Sequence, residues 1–318
     1  MGEAKYLVTG SMGCIGSWVL YHLVQQGKSV VSFDISPDLH RLNLLLDKIE
    51  QNDIVFEQGD ITRLEAIENS IKRHQITHII HLGALQVPFC RENPIIGAEV
   101  NVIGTLNIFE AARRRGIGHL VYASSIAVYG NADEYQPGLI PADAPLNPHT
   151  LYGGFKQCNE QNARMYASDY GVSSTALRPY IVYGVGRDQG MTSDPTKAML
   201  AAVSGKPYEI GFGGTAQYQL ASDVALQFLH ASIHPLEGAH VYNIGGDTVN
   251  MTDILTIIKE IVPDAEISFK DRLLPFPAGF DDSALRQAFP EIFTSSIREG
   301  IHQTMAHFTY LLEKGYPV

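Results

Sequence analysis

Short runs rich in β-branched and aliphatic residues alternate along the chain with longer segments in which apolar residues recur every three or four positions. The short runs predict strands at 4–8, 29–33, 53–57, 77–82, 118–123 and 173–178, and the longer segments predict helices between them. Apolar strands joined by helices are the pattern of a parallel sheet covered on both faces, an α/β doubly wound architecture. The helix predicted over 94–116 has both ends marked, by Asn93-Pro94 at its start and Gly116 at its stop. Beyond about 180 the regularity breaks at Gly184, Gly186, Gly190, Gly211, Gly213 and Gly214, and later at Pro275, Pro277 and Pro290. A last sheet element near 241–244 and late helices at 251–261 and 294–314 interleave with these loops. The expected organisation is a sheet domain over 1–180 with a returning segment near 215–245, and a smaller, discontinuous substrate lobe over 181–318.

Composition narrows the functional classes. A chain of 318 residues that is 45% hydrophobic and 18% charged suits a globular protein with a substantial core. Its net charge of −11 leaves no basic surplus for phosphate backbones or anionic lipid, so nucleic acid is not an expected partner. No uninterrupted apolar run reaches the roughly 20 residues that span a bilayer, and no export signal is visible, so no membrane association is expected. Cys14, Cys90 and Cys158 are odd in number and widely spaced, which argues against a disulfide framework and for a reducing, cytoplasmic setting. His74, His78 and His81 look clustered, but His78 and His81 fall on opposite faces of a strand; with no HExxH or Cys/His set, no metal is expected.

The chemistry begins where the first strand runs into Gly10-Ser11-Met12-Gly13-Cys14-Ile15-Gly16. Glycines at this spacing permit a tight turn and let a helix N-terminus face a pyrophosphate. At the end of the second strand, 18 residues after Gly16, stands Asp34. A carboxylate there accepts both hydroxyls of an adenosine ribose and repels a 2′-phosphate, which favours NAD over NADP; Arg41 is the one nearby cation that would reverse this. Tyr152-Gly153-Gly154-Phe155-Lys156 lies in a predicted helix, where a spacing of four puts phenol and ammonium on one face. The ammonium is expected to lower the phenol's pKa for proton transfer near neutral pH. Ser124-Ser125 ends the fifth strand, at the sheet edge where such folds bind ligands.

In this ordered set the sequence resembles the extended short-chain dehydrogenase/reductase family, which contains nucleotide-sugar epimerases and dehydratases. Further matches are Gly59-Asp60-Ile61, His81-Leu82-Gly83-Ala84, Asn101, the segment SSIAVYG at 124–130 and Leu177-Arg178-Pro179. The resemblance implies a Rossmann-type sheet. It implies pyrophosphate contacts from the loop residues Gly10, Gly13, Cys14, Ile15 and Gly16, ribose contacts from Asp34, and an adenine boundary at Asp60 and Ile61. Leu82, Gly83, Ala84, Asn101 and Pro179 would complete the cofactor site. Tyr152 would be the acid/base, Lys156 would hold the nicotinamide ribose, and Ser125, with Ser124 beside it, would assist at the substrate oxygen. The family also implies a homodimer through a four-helix bundle built from the helices near 94–116 and 151–171.

Departures from the family pattern are equally informative. Dehydratases carry acidic residues just after the catalytic hydroxyl, where this chain has Ile126 and Ala127. Nucleotide-sugar members place an Asn and an Arg on the diphosphate at positions that hold Ile181 and Ala216 here, although Arg272 or Lys270 could compensate. The leading expectation is an NAD-dependent oxidoreductase acting on a secondary alcohol or ketone of a small sugar or sugar acid. The alternatives are a nucleotide-sugar 4-epimerase with tightly bound NAD, and a non-catalytic NAD-binding regulatory protein. Arg187, in the loop 184–190, is read either as a surface residue paired with Asp188 or as a guanidinium that meets an anionic substrate group.

Overall fold

A computed structural model describes residues 4–317. Its strands are β1 (Lys5–Thr9), β2 (Ser29–Asp34), β3 (Ile54–Gln58), β4 (His78–His81), β5 (His119–Ala123), β6 (Ser173–Arg178), β7 (Ile181–Tyr183), β8 (Tyr208–Ile210), β9 (Thr215–Leu220), β10 (Ala239–Asn243), β11 (Asp247–Asn250) and β12 (Ile267–Phe269). Seven of them form a parallel sheet in the order β3-β2-β1-β4-β5-β6-β10. Strand order reverses between β1 and β4, the switch point at which doubly wound sheets open a crevice at their carboxyl edge.

Alternation along β1 serves both faces of the sheet. Leu7 packs with Ile67, Ile71 and Phe109 on one side, while Tyr6 and Val8 pack with Leu20, Leu23 and Phe228 on the other. The segment 215–245 divides: β9 joins a small sheet in the order β11-β9-β7, and the helix Ala221–Ile233 and β10 return to the main sheet. A second core, containing Met199, Ile210, Phe212, Ile254, Ile301 and Met305, lies among the C-terminal elements.

Of the two long helices read from the pattern, one differs in detail. The long helix is continuous from 94 to 115 but contains a π turn over Glu99–Ile103. Its apolar window has mean hydropathy 1.3, so it is long and apolar enough to cross a membrane by length and composition, which the sequence was expected not to offer. The two acidic side chains within it, Glu99 and Glu110, had broken every uninterrupted run. Its buried side chains, Ile108 and Phe109 among them, pack in the core beneath the sheet. The second helix, Leu151–Tyr170, is capped by the Thr150 hydroxyl, which accepts from the Gly153 amide at 3.0 Å, and ends at Gly171 in the left-handed region.

Candidate active site

The carboxyl ends of the parallel strands open into a cavity of about 660 Å³. Asp34 and Asp60 line it in one part, Ser125, Tyr152 and Lys156 in another, and the glycine loop runs between. The loop's approach depends on Gly10, which has φ +66°; a β-carbon there would sit 2.5 Å from the Gly83 amide nitrogen. Gly10 can therefore pack backbone to backbone against the end of β4. The helix Cys14–Gln25 starts at Gly13 with no side chain capping its first turn, so its amides are free to face an anion. Asp34 accepts from the Met12 amide and the Ser36 amide, both at 2.9 Å, which aims its carboxylate at the loop. Uncapped amides beside a backbone-held carboxylate and a side-chain-free cradle fit a dinucleotide.

The acid/base group is assembled by close packing. A β-carbon on Gly153 would fall 2.0 Å from the Ala127 carbonyl oxygen, so glycine lets the helix abut the turn that carries Ser125. Ser125 Oγ accepts from the Ala127 amide at 3.2 Å. Lys156, 2% exposed, donates to the Ala123 carbonyl at 2.7 Å, and its ammonium lies 5.6 Å from the Tyr152 ring centre. Burial pulls Lys156 down to about 8, with Glu160 opposing. Behind it, His81 bridges the Thr9 and Thr105 hydroxyls, and burial, aided by Lys156, drives it down to about 3, leaving it neutral.

Tyr152 departs from expectation. Burial pushes its phenol up to about 12, while Ser125 and Arg187 pull it back. Enclosure of the phenol is the reason: loss of solvent around the phenolate outweighs the groups that favour it. By itself the protein therefore holds Tyr152 as a proton donor.

All but one of the expected site residues line the cavity, from Gly10, Gly13, Cys14, Ile15 and Gly16 through Ile61, Leu82, Gly83 and Ala84 to Pro179 and Arg187. Asn101 is the exception. Fully buried within the π turn, it accepts from the Leu85 amide at 3.0 Å and donates to the Leu85 carbonyl at 3.1 Å, so it positions the loop after β4 from behind. Ser124 borders the cavity, but its hydroxyl donates to Glu160 at 2.5 Å instead of facing substrate. Glu160 in turn receives a bidentate pair from Arg178 at 2.8 and 2.7 Å, both side chains being 2% exposed. Glu160 was not anticipated, although its place four residues beyond Lys156 puts it on the same helix face as Tyr152.

Arg187 does not pair with Asp188. Its guanidinium donates to Thr192 Oγ1 at 3.3 Å, and its Nε is buried with no partner among the described residues. Asp188 instead takes Arg41 and His40. Burial raises the Cys14 thiol to about 11 although Arg187 and Arg41 both pull it down, which sets two guanidinium groups near the glycine loop. Met191, Thr192 and Phe276 add walls that strand and helix patterns did not single out, because all three come from loops, and Tyr180, which flanks the site in sequence and reads as a packing residue, also lines the cavity. Among the described residues no group of His, Cys, Asp and Glu is placed to hold a metal.

A parallel-sheet crevice with a dinucleotide cradle and a Ser-Tyr-Lys constellation defines the class of NAD-dependent oxidoreductases of the extended short-chain type. The chain belongs to the NAD dependent epimerase/dehydratase family, whose sequence model matches residues 6–245, and its cofactor is NAD. It is 29% identical to the UDP-glucose 4-epimerase of Mycolicibacterium smegmatis, over 96% of this chain and 98% of that one. Among solved structures, the Thermus thermophilus UDP-glucose 4-epimerase in complex with NAD superposes with TM-score 0.80 at 25% identity, covering 96% and 98% of the two chains. The fold is shared with an L-threonine dehydrogenase from Clostridium difficile, at TM-score 0.87 and 21% identity, with full coverage of both.

Proposed function

We propose that this enzyme oxidises or reduces a secondary alcohol or ketone of a small, carboxylate-bearing carbohydrate that is not attached to a nucleotide. The observation that carries the reading is Arg187: a guanidinium that lines the same cavity as Tyr152 and Ser125 and, among the described residues, meets only the Thr192 hydroxyl. The guanidinium carries its charge into the cavity with no carboxylate of those residues on it, and an anionic substrate group would pair with it. The absence of diphosphate contacts supports the same reading. Ile181 and Ala216 are buried and apolar, and neither Arg272 nor Lys270 lines the cavity, both being exposed and Lys270 paired with Glu209 at 3.2 Å.

In this reading the Tyr152 hydroxyl exchanges a proton with the substrate oxygen, Ser125 hydrogen-bonds that oxygen, and Lys156 holds the cofactor ribose and adds positive charge. Bound NAD supplies a hydride acceptor and a nicotinamide cation. The cofactor contacts are assigned to Gly10, Gly13, Cys14, Ile15, Gly16, Asp34, Asp60, Ile61, Leu82, Gly83, Ala84 and Pro179. Residues 181–318 contribute most of the substrate walls, through Arg187, Met191, Thr192 and Phe276.

The test is NADH absorbance against a panel of sugars, sugar acids and UDP-sugars. NADH growth in proportion to a sugar acid is the expected result. Conversion of a UDP-sugar to its isomer without net NADH would establish the second reading, a 4-epimerase, which the relatives' activities favour. With a sugar acid as substrate, Arg187→Lys keeps the charge but loses the planar fork, and KM is expected to rise roughly tenfold with neutral substrates unaffected. Equal effects on acidic and neutral substrates would remove Arg187 from the site.

We also infer a cytoplasmic homodimer. Three cysteines without disulfides support the compartment, and an exposed apolar stripe on two neighbouring helices supports the assembly: Ile95 is 70% exposed, Ile103 48%, Leu151 48% and Met165 52%. Ile103→Glu is expected to shift the light-scattering mass from dimer to monomer; an unchanged mass, or a monomeric wild type, would refute it.

A further inference from the structure

The loop that leaves β7 is fastened to the cofactor half of the protein at two points. Trp18, on the helix that follows the glycine loop, donates its indole N–H to the Val185 carbonyl at 2.9 Å. Three residues on, Asp188 takes Arg41 in a bidentate pair, Nε to Oδ1 at 2.8 Å and Nη2 to Oδ2 at 3.1 Å. The remaining terminal nitrogen of Arg41 donates to the Met12 carbonyl at 2.9 Å. Met12 is the residue whose amide is held by Asp34. A single residue of the glycine loop thus links the Arg41 guanidinium to the ribose carboxylate. His40 also turns one ring nitrogen to Asp188 at 3.1 Å, the other going to Asp38 at 2.8 Å. Arg41 and His40, adjacent residues of the segment after β2, therefore both reach a single carboxylate carried by the loop after β7.

We propose that Asp188 is a determinant of cofactor selectivity, acting through Arg41. A guanidinium near the ribose edge, with its fork free, is the group that receives a 2′-phosphate. Here the fork is filled and its charge neutralised, so the negative field of Asp34 prevails at the ribose edge. Burial alone would raise the Asp188 carboxyl, yet hydrogen bonding and charge from Arg41 outweigh it and keep it below the ordinary carboxylate range. The neutralising partner is thus ionised at working pH. Selection of NAD is in this way shared between Asp34, which repels the phosphate, and Asp188, which withholds the cation that would attract it. The proposal rests on NAD as cofactor and is independent of the substrate reading.

Fluorescence titration of NADH and NADPH, at about pH 8 where an ordinary imidazole is neutral, tests it without any turnover. In Asp188→Asn the ratio of NADPH to NADH dissociation constants is expected to fall about tenfold, chiefly through tighter NADPH. Arg41→Met should move the ratio the other way, because Asp188 is left as a second anion without its guanidinium partner. The double variant should return within about threefold of wild type. Parallel changes in both cofactors for Asp188→Asn, or a fall that persists with Arg41→Met, would overturn the proposal. Should Asp188→Asn fail to fold, an unchanged ratio in Arg41→Met overturns it equally.

Discussion

Replacing Tyr152 with Phe is expected to lower kcat by about 10²–10⁴-fold, the usual contribution of a general acid or base, while NADH affinity by fluorescence titration stays within about twofold. The hydroxyl sits in the cavity beside Ser125, and its proton is used only in the chemical step. Its surroundings also bear on the pH dependence. Because burial holds the free-enzyme phenol up at about 12, the protein alone presents a proton donor. Oxidation needs the phenolate, so its rate is expected to rise with pH up to the phenol's pKa in the cofactor complex, and that limb should vanish in the Phe variant. A Phe variant that kept more than about a tenth of the wild-type rate would place the acid/base elsewhere.

Glu160→Gln is expected to be the most destabilising single change near the site. Arg178 is 2% exposed and loses its carboxylate partner, and stranding a buried charge costs about 3–5 kcal/mol. Thermal unfolding should fall by roughly 10 °C. Arg178 Nη1 would retain the Ala142 carbonyl at 2.9 Å and the Tyr129 hydroxyl, but Nε and Nη2 would lose the carboxylate and the charge would go uncompensated. Adding Arg178→Met to Glu160→Gln should recover much of the loss, since the double variant has no uncompensated charge. Turnover should fall as well, because the Ser124 hydroxyl held by Glu160 precedes Ser125 directly. A Glu160→Gln protein with wild-type melting would show that water or backbone compensates Arg178.

What could be read from the chain before folding was local. Six strands of the parallel sheet, the glycine loop after β1, Asp34 at the end of β2 and the Tyr152-Lys156 spacing are set by periodicity and by short-range backbone requirements. These survive in any context that forms the strand, turn or helix concerned. What the pattern left open concerned partners. Arg187 and Asp188 are adjacent in sequence yet take different partners, because Arg41, 147 positions from Asp188, is brought to it by the order of the sheet. Ser124 turns to Glu160, and Asn101 sits behind the site and not in it, for the same reason: side-chain choice between neighbours follows packing.

The Tyr152 phenol makes the point in energy. Helical spacing placed an ammonium on its face, but the sign of its shift came from enclosure, since desolvation depends on every element that shuts out water and on none in particular. Periodicity thus determined which residues could meet, while charge pairing and desolvation were decided only once the strands had been ordered in three dimensions.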